Sequence, residues 1–195
     1  MYDTIKISMA TPACKKKHIK EYYEWADTTT GEINFKGKIK NMLIRYVNNK
    51  LTIEGSLAKF QYGNNIQLLT KQDALQAILE LSNMLNLPLF EGTVERLDVG
   101  ILLQMNESLQ SYYPYLGDLP CYGKNTYGND SVSYQTKFKT LCFYDKFKEA
   151  TKLIKNNPDL HIDKNSLRIE SRLLNNKQIC KSLKLPEIKV KDLFN

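Results

Sequence analysis

The sequence predicts an α+β protein, a mainly antiparallel sheet with helices packed on one face and the chemistry on the other. Three observations lead there. The first sixty residues read as consecutive strands. One strongly patterned helix follows them. The remainder runs strand, hairpin, helix, strand, helix, without the repeated strand–helix units of a parallel sheet.

Tyr2 to Met9 alternates Ile5, Ile7 and Met9 with polar partners, the period of a half-buried strand. Lys15-Lys16-Lys17 lies in the first connection and suits a solvated face or a phosphate contact. Glu32–Ile39 and Met42–Val47 are the next strands, and Asn48-Asn49-Lys50 turns the chain into Leu51–Glu54. Thr70 as N-cap with Asp73 three residues on is a capping box. Leu75, Ile78, Leu79, Ser82 and Leu85 then repeat at helical spacing until Pro88. Thr93–Leu103 is strand-like. Gln110–Asp130, rich in Tyr, Pro and Gly, reads as a loop long enough to be functional. Ser131–Tyr134 and Phe138–Asp145 form a hairpin, Lys146–Lys155 a helix, Ser166–Leu173 a strand and Asn175–Leu183 a closing helix. No repeat divides the chain, so residues 1–195 are expected to form a single domain.

Composition narrows the function. The 28 Lys and Arg exceed the 21 Asp and Glu, giving a net charge of +7 and an attraction to polyanions such as nucleic acid. Only two histidines are present, His18 and His161, which excludes a zinc site built on imidazole and a His-apolar-His metal clamp. Cys14, Cys121, Cys142 and Cys180 contain no CxxC pair and read as buried or incidental thiols. No apolar stretch approaches the roughly 20 residues that span a bilayer, and the N-terminus lacks a signal-peptide layout. The expectation is a soluble cytoplasmic protein with no membrane partner.

Because strand side chains alternate between faces, three segments each set ionisable residues opposite apolar ones. In Val94–Ile101, Leu97, Val99 and Ile101 point to the core, with Arg96 and Asp98 opposite. In Leu167–Arg172, Leu167 and Ile169 point inward, with Arg168, Glu170 and Arg172 opposite. In Leu141–Lys146, Leu141 and Phe143 point inward, with Cys142, Tyr144 and Lys146 opposite. A solvated polar face would show the same alternation. As neighbours in one sheet, however, these strands would gather two carboxylates, four cations and a phenol. Asp98 and Glu170 are oxygen ligands suited to Mg²⁺ or Mn²⁺. The arginines can clamp a phosphate. Tyr144 would be the nucleophile, its ordinary pKa of about 10 lowered by Lys146 and the ion. These are the parts of a metal-assisted phosphoryl transfer onto tyrosine.

The motifs also resemble a family. Met1–Ile7, the Ser56–Asn65 segment, Arg96-Leu97-Asp98, Phe143-Tyr144-Asp145-Lys146 and Arg168-Ile169-Glu170-Ser171-Arg172 occur in the order seen in phage and plasmid replication initiators of the filamentous-phage gene II and gene X type. The resemblance implies a rolling-circle initiator that nicks one strand of supercoiled origin DNA, holds the 5′-phosphate on Tyr144, and later rejoins the strand. It implies Asp98 and Glu170 as metal ligands and Arg96, Arg168, Arg172 and Lys146 on the phosphates. It also implies a host helicase as a partner. Tyr134 matches a tyrosine of related plasmid initiators and is the alternative nucleophile. Tyr122, Lys124 and Tyr127 in the long loop are expected to meet exposed origin bases and phosphates, and Lys137 and Lys139 to touch the DNA backbone. A non-catalytic origin- or operator-binding module is the competing reading, and a nuclease using water as nucleophile is a third.

Overall fold

The computed structural model describes residues 2–11 and 14–194. Met1, where the family-like opening begins, lies outside them, as do Pro12, Ala13 and Asn195. Ten strands form one antiparallel sheet: β1 Tyr2–Ala10, β2 Lys20–Ala26, β3 Ile33–Ile39, β4 Met42–Val47, β5 Lys50–Ser56, β6 Thr93–Gln104, β7 Gly123–Tyr127, β8 Ser131–Gln135, β9 Lys139–Asp145 and β10 Ser166–Leu173. Their order is β2-β3-β4-β5-β1-β6-β10-β9-β8-β7. Asn48 and Asn49, at φ 49° and 59°, make the β4–β5 turn in the left-handed region, which asparagine tolerates better than most residues. Among the described residues five α-helices accompany the sheet: α1 Leu57–Tyr62, α2 Lys71–Leu85, α3 Leu109–Tyr112, α4 Lys146–Asn156 and α5 Asn176–Leu183. Among the described residues no helix is long and apolar enough to cross a membrane.

The main core joins Ile5, Ile7, Ile44, Leu51 and Ile53 of the sheet to α2 and α5. The expected capping box is present: Thr70 accepts from the Asp73 amide, and the Asp73 carboxylate accepts from the Thr70 amide. The buried stripe of α2 is Ala74, Ala77, Ile78, Leu81 and Leu85, whereas Leu79 of the expected stripe is 39% exposed. Asn86, in the left-handed conformation, stops the helix before Pro88 is reached.

A second apolar cluster lies on the same face farther along the sheet. Leu109, just ahead of the expected long loop, and Tyr113 within it pack on Val132, Tyr134 and Leu167. That loop also contains α3 and the edge strand β7. Ile101, expected in the core, is 51% exposed, because β6 continues beyond the layer that covers its first half. A third cluster lies on the opposite face, where Leu102 meets Phe147, Ala150 and Leu153 of α4. Two elements had no clear sequence signal. Strand β2 has no buried residue on either face and so lacks apolar alternation. Helix α1 is six residues long, capped by Ser56 at its start and by Gly63 at φ 74° at its end.

Candidate active site on the polar face

Strand order brings the three chemically loaded segments together as β6-β10-β9. Register then aligns their side chains. Arg172 lies opposite Asp98 and Thr140, Glu170 opposite Gly100 and Cys142, and Arg168 opposite Leu102 and Tyr144. Directly opposed residues in an antiparallel pair point to the same face. Arg96, Asp98, Tyr144, Arg168, Glu170 and Arg172 therefore share one side of the sheet.

Hydrogen bonds link them. The Tyr144 phenol donates to Glu170 Oε1 at 2.7 Å. Arg172 holds Glu170 Oε2 through two nitrogens, at 2.9 and 3.2 Å. Arg96 grips both oxygens of Asp98, at 2.7 and 3.0 Å, and reaches Glu54 at 3.1 Å. Arg168 donates to Glu170 Oε1 at 3.3 Å and to Asp3 at 3.2 Å. Asp98, Arg168 and Glu170 are all buried, while the side chains of Arg96 and Arg172 stay 28% and 36% exposed. The Arg96 and Arg172 guanidiniums, though paired, are partly open to solvent. Arg168 is not.

Burial pushes the Tyr144 phenol far above its ordinary value, and the Glu170 charge raises it further. Arg168 opposes the rise without reversing it. The Asp98 carboxyl is also raised, by burial first, with Arg96 opposing and the Glu170 charge adding to it. Glu170 goes the other way. Burial raises it, but the Tyr144 phenol together with Arg172 and Arg168 outweighs that and holds it below the usual carboxylate range.

The expectation that Lys146 lowers the Tyr144 pKa needs correction. The strand ends at Asp145, which becomes the N-cap of α4, so alternation stops before Lys146. Its ammonium is buried and bonded to Glu149 at 2.5 Å. Tyr134, the alternative nucleophile, sits on the opposite face, buried at 4% exposure, and donates to the Gly117 carbonyl at 2.5 Å. Lys124 lies opposite Tyr134 on that far face and is bonded to the Leu116 carbonyl. Tyr122 packs into the cluster of Leu109 and Tyr113. Of the three loop residues expected to meet DNA, only Tyr127 borders the polar face. Lys137 lies over the Phe138 ring at the β8–β9 turn, and Lys139 pairs opposite Leu173 on the apolar side.

Two contributors carried weaker signals. Asp3 anchors Arg168 and accepts from Ser56 at 2.8 Å, and its link to Arg168 joins residues 165 apart that no local pattern announces. Gly100 lies beneath Arg168 and Glu170, where a Cβ would meet Arg168 Nε at 2.8 Å and Glu170 Cγ at 3.0 Å. A glycine inside a strand is the sequence sign of such close approach.

Beside Tyr144 opens a cleft of about 700 Å³, lined by Tyr127, Ser133, Cys142, Tyr144, Lys148 and Arg172 among others. The thiols are of mixed character: Cys142 and Cys180 are buried, Cys14 is half-buried and Cys121 exposed. Among the described residues no three or more His, Cys, Asp and Glu are grouped to enclose an ion. Magnesium, however, is commonly held by one or two carboxylates, with water and phosphate completing its shell. Asp98 and Glu170 are two such carboxylates, carried on the neighbouring strands β6 and β10 of one face.

A phenol, two carboxylates and three guanidiniums share one sheet face, and groups of these kinds can contact a phosphodiester. The family model for the N-terminal region of the phage gene II replication-associated protein matches residues 5–190. The chain belongs to that family, the rolling-circle replication initiators of phages and plasmids that its motifs resemble. Among solved structures it is similar to a rolling-circle replication initiator protein from Geobacillus stearothermophilus, at 10% identity and a TM-score of 0.49, over 98% of this chain and 78% of that one. No curated protein matches.

Proposed function

We propose that this initiator nicks and rejoins one strand of origin DNA, with Tyr144 as the nucleophile. The observation that carries the reading is the Tyr144 phenol bonded to Glu170 at 2.7 Å, between arginines and beside an open cleft. In the step, Tyr144 Oη attacks phosphorus, the bond from phosphorus to the 3′-oxygen breaks, and the 5′-phosphate stays on the tyrosine. Glu170 Oε1 accepts the phenolic proton, and the departing 3′-oxygen takes up a proton to become the hydroxyl that primes synthesis. Arg96 and Arg172, the half-exposed pair, turn from their carboxylates to the phosphate. Arg168 stays with Asp3 and Glu170 and positions them. Asp98 and Glu170 would hold Mg²⁺ or Mn²⁺, which supplies charge stabilisation at the phosphoryl oxygens. Lys146 has no role in this scheme.

The test is a supercoiled plasmid carrying the origin, with Mg²⁺ or Mn²⁺ present. The wild type is expected to leave a nick and a denaturant-resistant adduct at the 5′ end, while Tyr144→Phe binds the DNA without cutting it. Binding with no nicking by the wild type would favour the non-catalytic module. Nicking without an adduct would favour water as nucleophile.

A further inference from the structure

The polar face does not end at Arg96. Past β1 and β5 it continues to β4, β3 and the edge strand β2. One rung of register partners, Tyr23, Lys36, Arg45, Thr52, Ser8 and Thr93, crosses six strands from β2 to β6. The next rung runs Lys38, Leu43, Glu54, Lys6 and Arg96, so both lie on the face that carries the active site.

The far end of this face has its own chemistry. Tyr23 and Trp25 project from alternate positions of β2, and their rings stack with centroids 5.8 Å apart and planes 26° from parallel. Tyr23 is 57% exposed, and Trp25 is half-buried. The Lys36 ammonium stands over the Tyr23 ring at 5.6 Å. Arg45, opposite Lys36, is exposed, and neither cation has a carboxylate partner among the described residues. The nearby acids are already occupied: Glu21 with Lys38, Glu24 with Lys16, and Glu54 with Lys6 and Arg96. Unpaired cations beside two accessible, mutually stacked aromatics are the equipment of a single-strand binding platform. Bases stack on the rings, and the cations meet the phosphates.

We propose that Tyr23, Trp25, Lys36 and Arg45 form a second DNA site, one that holds single-stranded DNA leading to or from the nick. Charge complementarity selects a polyanion, and the aromatic pair selects unpaired bases over duplex. Seven strand spacings separate β2 from β9, which carries Tyr144, about 33 Å, so one strand that extends several nucleotides beyond the nick can occupy both ends of the face. The proposal rests on the reading of this chain as an initiator that handles single strands, but not on the identity of its nucleophile.

Trp25 is the sole tryptophan of the chain, so its fluorescence reports this platform alone. The experiment titrates the full chain, in a Tyr144→Phe background that cannot form the adduct, with oligothymidylate of about a dozen nucleotides. Saturable quenching of Trp25 is expected. The Lys36→Glu/Arg45→Glu variant should bind at least tenfold more weakly, and two lost phosphate contacts should reduce the slope of log affinity against log salt by about 1.4. A Tyr23→Ala variant, whose charge is unchanged, should weaken binding about tenfold while leaving that slope in place. Unchanged Trp25 emission while a labelled oligonucleotide is bound would overturn the proposal. So would equal affinity of the charge-reversed variant, or quenching by duplex at lower concentration than by single strand. Dimerisation of the chain through β2 in competition with the oligonucleotide would assign the surface to a second copy and overturn it as well. Nicking plays no part in these readouts, so failure of the platform and failure of Tyr144 as nucleophile are seen separately.

Discussion

The two ends of the polar face differ in how their charges are held. At β6-β10-β9 every carboxylate oxygen of Asp98 and Glu170 accepts from a guanidinium or phenol, and the central groups are buried. At β2-β3-β4, Lys36 and Arg45 stand exposed without carboxylate partners among the described residues. Charge taken out of water must be fully paired, because a lone buried ion costs several kcal/mol. Charge left in water needs no partner. A buried network sets geometry for chemistry, and an open row offers affinity that salt can tune. Substitutions should therefore have sharply different consequences at the two ends.

The largest expected effect is on catalysis at the crowded end. Tyr144→Phe should reduce nicking of the origin plasmid by a factor of about 1,000 or more. Tyr134→Phe, on the opposite face of the same hairpin, should leave the nicking rate within about threefold. Comparable losses in the two variants would break the assignment of faces.

Next in size are effects on stability. Arg168→Met strands Asp3 and Glu170 as buried acids with fewer partners and should cost about 3–5 kcal/mol in denaturant unfolding. Gly100→Ala pushes a methyl against Arg168 and Glu170. It should cost about 1–3 kcal/mol and lower nicking in parallel. Arg45→Ala at the open end should change stability by no more than about 0.5 kcal/mol.

A smaller effect appears with pH. The folded-state pKa of Tyr144 is raised above its ordinary 10.0. The neutral phenol's contribution is therefore fully present below pH 10 and is lost as pH climbs from there toward the folded value. Thermal midpoints measured from about pH 8 to about pH 11 should fall more steeply for the wild type than for Tyr144→Phe. Glu170 has the opposite sign. Its pKa is held below 4.5, so its contribution is present above that pH and declines as the solution is acidified through the folded value. Glu170→Gln should flatten that acid limb.

Local patterns in the sequence carried much of this. Alternation in Thr93–Leu103 and Ser166–Leu173 separated Arg96, Asp98, Arg168, Glu170 and Arg172 from their apolar neighbours, and the capping box marked the start of α2. Those signals depend only on the period of a strand and the geometry of one helical turn. Alternation misled where an element ended: Lys146 kept the spacing of a strand but belongs to the first turn of α4, because Asp145 caps that helix. It was also mute where neither face is apolar, as in β2.

What the chain determined by itself was which side of each strand carries the ionisable groups, since backbone pleating follows from consecutive residues alone. What only the tertiary structure decided was which strands are neighbours and which residues face each other across them. Arg172 meets Asp98, and Arg168 meets Asp3, because long-range pairing chose that register. Tyr144 and Tyr134 part company for the same reason: the assembled sheet buries one face of their hairpin beneath Leu109 and Tyr113 and leaves the other to the cleft. Pairings between distant segments depend on burying the whole core at once, and no short window of sequence contains that sum.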